Sequence, residues 1–305
     1  MNDMASEAIY PGGSGDEPPG GDPPDDTLND TRVRDTLQLL LHSPSFVAGA
    51  LILVWWIVCA LAGAGFAPHD AYASDPLSSL MPPDRMHWCG TDQLGRDICS
   101  RVIVGARDIL TIAPLATLVG TLAGAALGLV TGYFEGAFGT LVARTLDAVL
   151  ALPLVIVALL VLAAVGASNL AVVLVIGITF APLVARTVRA AVLAERHLDY
   201  VAAARLRGAS ALAVMFTEIL PNVWPPIVVE ATVRLGYAIF AVATLSFLGF
   251  GIQPPSADWG LALAESYTLL AGGAWWTVAF DALAIASLVV AVNLIADSLG
   301  EVLAS

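Results

Sequence analysis

The chain of 305 residues contains no lysine; all thirteen basic residues are arginine. A phosphate-binding loop of the Gly-x-x-x-x-Gly-Lys type needs a lysine to reach the nucleotide phosphates, so an ATP site of that kind is excluded. Charge is scarce in general, at 13% of residues against roughly 25% in soluble domains, too little to solvate a globular surface. The three cysteines, Cys59, Cys89 and Cys99, form no Cys-x-x-Cys pair. Cys59 lies inside an apolar run and reads as a small hydrophobe, and a Cys89–Cys99 disulfide is not expected. The four histidines, His42, His69, His87 and His197, are scattered, so the clustered nucleophile or metal set of a membrane enzyme is missing. Nor is there an internal repeat of the kind that builds many ion-coupled secondary transporters.

What the chain does have is apolar length. Hydrophobic residues make up 58%, and the runs Phe46–Ala67 and Ile109–Phe134 carry no charge. Each exceeds the roughly 20 residues an apolar helix needs to cross a bilayer. Hydropathy and turn residues predict six spanning helices at about 45–67, 107–133, 145–166, 169–190, 222–250 and 274–297, an all-α polytopic membrane protein. The third and fourth are separated by Gly166–Asn169 alone, enough for a tight hairpin.

The formal charge of −13 is concentrated at the N-terminus, where residues 1–30 hold eight carboxylates and no basic residue; without them about −5 remains. That Gly- and Pro-rich tail, extending to residue 36, is expected to be disordered. It is not a signal peptide, because Arg32 and Arg34 precede a full-length span. Behind it we expect a first helix and external loop over 37–104, a five-helix domain over 105–298 and a short tail over 299–305.

Arginines near span ends tend to stay on the cytoplasmic side. The densest cluster is Arg186, Arg189, Arg196, Arg205 and Arg207. Placing it inside also puts both termini and the Arg144 loop inside, and leaves the 68–106 loop outside in spite of Arg85, Arg96 and Arg101.

Three features invite functional readings. Gly120, Gly124, Gly128 and Gly132, with Ala116, recur every four residues and let another backbone approach one helix face; the contact is either within the chain or with a partner subunit. Glu230, Arg234 and Asp281 lie inside spans, where ionisable groups are costly and face protein or water. Glu230 and Arg234 stand four apart and can neutralise each other, whereas Asp281 has no sequence neighbour to pair with and is the stronger candidate for a translocation path, unless Arg234 reaches it. The third feature is His197-Leu-Asp-Tyr-Val-Ala-Ala-Ala-Arg-Leu-Arg-Gly-Ala-Ser followed by Ile219-Leu-Pro-Asn222. Asp199 can cap a short helix that Gly208 ends in a left-handed turn, and a second helix follows to Pro221. Such a helix-turn-helix, presenting Tyr200, Val201 and alanines, suits docking into a soluble partner. On residue chemistry alone it is equally an Arg-rich topological loop.

That segment resembles the EAA loop of ABC importer permeases. Asp199, Tyr200, Ala203, Ala204, Arg205 and Gly208 match the family pattern, while Ala202 stands where the family has an acidic residue. Three further blocks resemble the C-type permease of the dipeptide, oligopeptide and nickel branch. They are His87–Asp97 continuing through Ser100-Arg101 and Gly105-Ala-Arg107; Gly132–Gly136 with Arg144, Asp147 and Pro153; and Leu245–Pro255 followed by Asp258-Trp-Gly260. From the residues alone, the stretch Arg96–Arg107 reads as an interfacial helix or as a contact for a substrate-binding protein, and the loop with Trp259, Trp275 and Trp276 as membrane-interface anchoring or as part of an outer gate.

The resemblance implies a type I, MetI-like permease core that transmits ATP-driven motion through a coupling helix at Asp199–Gly208. It implies these partners: a second homologous permease, one or two ABC ATPase subunits that use ATP and Mg, and a lipid-anchored substrate-binding protein outside the membrane. This chain itself then needs no cofactor or metal and binds no nucleic acid. Peptide is the expected cargo, with glutathione and nickel chelates as alternatives, and proton carriage by Glu230 and Asp281 in a secondary transporter as the reading from another class.

Overall fold

The computed structural model describes residues 38–134 and 136–304; the acidic tail, Arg32, Arg34 and Glu135 lie outside the described residues. Among the described residues, five helices are long and apolar enough to span a bilayer. The first, α1 (Pro44–Ala62), starts where Ser43 accepts the Phe46 N–H and Pro44 occupies the first turn. The second, α2, runs unbroken from Ile98 to Tyr133. Its 36 residues give a rod of about 54 Å, well beyond the roughly 30 Å hydrocarbon layer. The expectation had this helix begin at 107; it starts nine residues earlier because Asp97 caps it, accepting the Ser100 N–H at 2.8 Å. The stretch 98–107 is therefore the first turns of a spanning helix rather than an interfacial one, and Arg101 on it is 3% exposed.

The third predicted span is broken. Helices α3 (Ala137–Leu150) and α4 (Leu154–Val165) meet at an angle of 86°. Pro153 disfavours helical backbone at the residue before it, and its own extended backbone closes α3 and opens α4. Counted as one bent span, this pair brings the apolar crossings to six by length and composition; each half alone is too short to cross.

Helix α5 (Asn169–Glu195) is capped by Ser168. A short helix, α6 (Asp199–Leu206), follows, and after it a π-helical turn at Val214–Ile219. The last elements are α7 (Trp224–Phe247), α8 (Trp259–Ser266) and α9 (Trp276–Ala304).

The most extensive packing joins α2 to α5, and the glycine stripe shows why. A methyl group on Gly124 would sit 2.5 Å from Val184 Cβ and 2.6 Å from the Ala181 carbonyl; on Gly128 it would meet the Ala185 carbonyl at 2.7 Å. Gly120 lies likewise against the backbone of Gly177, and Gly132 against Val192. The four glycines thus face α5 of the same chain, where the absence of side chains lets the two backbones approach.

The loop after α1 also departs from expectation, because Cys89 and Cys99 form a disulfide across ten residues, with Cα atoms 5.2 Å apart. A ten-residue spacing has no pairing signature of its own. The two cysteines meet because Gly90, Gly95 and the Thr91–Asp97 bridge fold the intervening chain back on itself.

Candidate functional site

At one end of the bundle α6 forms a small platform with the π-helical turn. Val201 and Ala204 are fully buried against Val214, Met215 and Ile219, so they do not face outward as the sequence reading had them. Leu198, Ala202 and Leu206, one turn apart, form the exposed face instead; Leu206 is 89% exposed. Ala203 is half-buried, while Asp199 and Arg205 are exposed. Asp199 occupies the first helical turn but does not cap it; Leu198 stands at the cap position. Gly208 adopts φ +82°, the left-handed turn expected of it.

Polar contacts fix this platform to the bundle. The Tyr200 hydroxyl donates to Glu195 Oε2 at 2.6 Å and accepts from Asn222 Nδ2 at 3.2 Å. Burial and the Glu195 carboxylate push the Tyr200 phenol up to about 12, so it keeps its proton. Arg196 Nη1 donates to the carbonyls of Gly132 and Tyr133 at 3.1 and 2.7 Å, satisfying the last turn of α2. The Arg205 guanidinium lies 4.9 Å from the centre of the Tyr133 ring. Sequence spacing missed both arginine contacts, since 63 residues separate Arg196 from Tyr133.

At the opposite end of α2 the 68–106 loop and the segment after α7 meet. Arg96 pairs with Asp92 at 2.6 Å and with Glu265 at 2.9 Å, and Arg101 lies 3.8 Å from the same Asp92. Gly105 passes so close to the Ala257 carbonyl that a side chain there would collide with it. Trp259 is fully buried, donates to the Val102 carbonyl at 2.9 Å and stacks edge-on with Trp56 at 4.7 Å. It is thus a core residue, not the interface anchor its position after a span suggested; Trp275 is 54% exposed and Trp276 Nε1 donates to the Thr91 carbonyl. Asp258 caps α8, and burial pushes its carboxyl up to about 6.

Between the ends, Glu230 and Arg234 form a partly buried pair at 2.6 Å, with Thr187 donating to Glu230 at 3.3 Å and the Tyr237 ring 5.3 Å from the guanidinium. Glu230 borders a cavity of about 370 Å³ with Thr187, Pro226 and Gly300. Asp281 is 3% exposed, and its Oδ1 has no hydrogen-bond partner among the described residues. Arg234 does not approach it. Gly236 faces Asn293 across the α7–α9 contact, and Asp281 lies twelve residues from Asn293, about 18 Å along α9.

A larger apolar groove of about 500 Å³ runs between α2 and α7, lined by residues that include Thr117, Thr121, Ala125, Phe216, Trp224 and Ala231.

Residues 124–305 match the model of a family described as the binding-protein-dependent transport system inner membrane component. The di/tripeptide transport system permease protein DppC of Pseudomonas aeruginosa is 36% identical over 277 residues, covering 89% of this chain and 91% of that protein. The probable D,D-dipeptide transport system permease protein DdpC of Escherichia coli is 34% identical, covering 87% and 89%. The glutathione transport system permease protein GsiD of Pectobacterium atrosepticum is 36% identical, covering 90% and 91%. Among solved structures, the MetNI methionine ABC transporter in inward-facing conformations matches with a TM-score of 0.56 at 18% identity, over 67% of this chain and 96% of that one, a likeness of fold. This chain belongs to the inner-membrane permease family of binding-protein-dependent ABC transport systems, as a multi-pass membrane protein.

Proposed function

We propose that this chain is one permease half of an ATP-driven importer of di- and oligopeptides. The observation that carries the reading is α6: a short helix at the end of the bundle, held by Arg196 and Tyr200, that turns an exposed Leu198–Ala202–Leu206 ridge away from the core. Such a ridge fits a groove on an ATPase subunit, with Asp199 and Arg205 at its rim; Tyr200, Ala203, Ala204 and Gly208 set the shape and position of the helix. Ala202, lying on the ridge itself, makes that contact apolar where the family pattern has a carboxylate.

In this reading ATP and Mg act on the partner subunits, and this chain hydrolyses nothing. A second, homologous permease closes the apolar groove between α2 and α7 to complete the path. A lipid-anchored binding protein delivers cargo to the loop end, membrane lipid covers the outer faces of the helices, and no nucleic acid is involved. Both termini and α6 lie in the cytoplasm. The Cys89–Cys99 disulfide supports placing the loop end outside, in an oxidising compartment. Glu230, Arg234 and Asp281 are the candidate polar positions along or beside the path. Replacement of Asp281 by Asn alters uptake with assembly unchanged if it lines the path.

The cargo reading rests on the peptide permeases the chain resembles, and glutathione, itself a tripeptide, is the second reading because of GsiD. The test is to purify the chain with its companion permease, ATPases and binding protein. Vanadate-sensitive ATP hydrolysis stimulated by a dipeptide supports the proposal, and stimulation by glutathione alone selects the second cargo. Robust ion-driven uptake by this chain in isolation overturns both.

A further inference from the structure

Two of the histidines that look scattered in the sequence come together at the loop end of α2. The rings of His69 and His87 lie 4.8 Å apart, tilted by 39°. Between them and the helix sits Asp97, 3% exposed. Its two carboxylate oxygens have separate partners. Oδ2 accepts from the Ser100 N–H at 2.8 Å and the Ser100 hydroxyl at 2.6 Å, which caps α2. Oδ1 points at the imidazoles, 2.9 Å from His87 Nδ1 and 3.7 Å from His69 Nδ1. One donor atom from each of the three residues lies within 4.8 Å of the other two.

The surroundings hold these donors in place. The His69 N–H donates to Ser100 Oγ at 2.9 Å, so one hydroxyl orients both His69 and Asp97. The His87 N–H donates to Asp84 at 2.5 Å, and its carbonyl accepts from Asp84 and Gly90 at 2.9 Å each. The Cys89–Cys99 disulfide closes the loop two residues beyond His87 and two beyond Asp97. Hydrogen-bonded supports of this kind are what orient metal ligands in protein sites.

The donor set and its spacing identify a ligand class. A tetrahedral zinc ion, with ligand bonds of about 2.0–2.1 Å, spaces its donors about 3.3 Å apart. The two His–Asp97 separations of 2.9 and 3.7 Å bracket that spacing, and all three donor atoms lie within 4.8 Å of one another. Two imidazoles and one carboxylate suit a borderline first-row divalent ion; magnesium and calcium favour all-oxygen shells, and copper(I) favours sulfur. The His87 side chain is 12% exposed and the His69 side chain 40%, which leaves solvent access for the fourth position.

We propose that His69, His87 and Asp97 form a binding site for one divalent first-row metal ion, with Zn²⁺ as the fitting member of that class. Bound there, the ion takes the place of the His87–Asp97 hydrogen bond and ties the segment leaving α1 to the first turn of α2. It thereby stiffens the loop from which the disulfide is built. The site is independent of the transported cargo.

The experiment uses the full-length chain in nanodiscs, disulfide intact, freed of any metal-binding tag and stripped with a chelator. Zn²⁺ is titrated in competition with a chromophoric chelator, and Co²⁺ is added separately to read its visible d–d absorption. The expected result is one Zn²⁺ per chain with a Kd in the micromolar range or tighter, a four-coordinate Co²⁺ spectrum and a rise in Tm with metal. In His69→Ala, whose side chain is the most exposed of the three, the affinity falls at least tenfold while the metal-free Tm is unchanged; His69→Gln serves if the alanine variant is not recovered folded. His197→Ala leaves the affinity as it is. Absence of stoichiometric binding, or wild-type affinity in the His69 variants, overturns the proposal and leaves Asp97 as a helix cap that also holds His87.

Discussion

The two ends of α2 are secured by different means. At the loop end a disulfide, the Asp92–Arg96–Glu265 ion pairs, a fully buried tryptophan and glycine contacts with passing backbone join segments far apart in the chain. At the α6 end the attachments are two arginine contacts to the last turn of α2, a tyrosine hydrogen bond and a few buried alkyl groups, next to a π-helical turn and exposed apolar side chains. Cross-linking and burial resist rearrangement, whereas solvent-accessible hydrogen bonds on a short helix open at low cost. One end is therefore built to hold its shape and the other to shift more readily.

The comparison breaks most completely where both ends share a support. Replacing Gly124 by Val forces a side chain into Val184 and the Ala181 carbonyl, an overpacking that costs about 3 kcal/mol or more because the obstacle is partly backbone. Both ends should fail together, seen as loss of monodisperse protein in detergent. Removing the disulfide with a Cys89→Ser, Cys99→Ser double variant should cost about 3 kcal/mol and confine the damage to the loop end. The readout is a lowered Tm with faster hydrogen exchange over 68–106 and unchanged exchange over 199–219.

The converse variant is Leu206→Asp. Leu206 is 89% exposed, so the native fold tolerates the change and Tm stays within a degree or so. Coupling should suffer, with peptide-stimulated ATP hydrolysis by the assembled transporter falling about tenfold, equivalent to about 1.4 kcal/mol at the docking contact. The smallest effect sharpens the account of the loop end. Burial holds the Asp258 carboxyl at about 6, above its ordinary 3.8, so the native state binds this proton more tightly than the unfolded chain. Stability from this group is present below about pH 4 and is lost as pH rises through 6. Thermal melts at about pH 5 and pH 7 should show the wild type gaining on the order of 1 kcal/mol at the lower value, and Asp258→Asn should lose that gain.

The spans and the glycine stripe were legible because bilayer thickness and helix periodicity act on local sequence. Gly120–Gly132 announced a close helix contact, although not which helix would fill it. The break at Pro153 was written in the residue itself, yet the apolar run on either side outweighed it in a hydropathy reading. The loop end was the least legible. Cys89 with Cys99, and His69 with His87, are brought together by turns and a crossing of segments that no periodicity encodes. Trp259 looked like an interface anchor because it follows a span; the fold buries it beneath Val102 and Gly105, a contact across 157 residues. On α6 the helix and its Gly208 stop followed from local propensity, but which face pointed outward depended on the π-helical turn beneath it.

The length of α2 carries a mechanical consequence. One continuous backbone runs from the disulfide-bonded loop to the aromatic ring beneath Arg205. A rod of about 54 Å tilted by about 10° around its midpoint displaces each tip by about 5 Å, in opposite senses. A rocking movement imposed on one face of the membrane is thereby delivered to the other by leverage alone, without a relay of side chains between them.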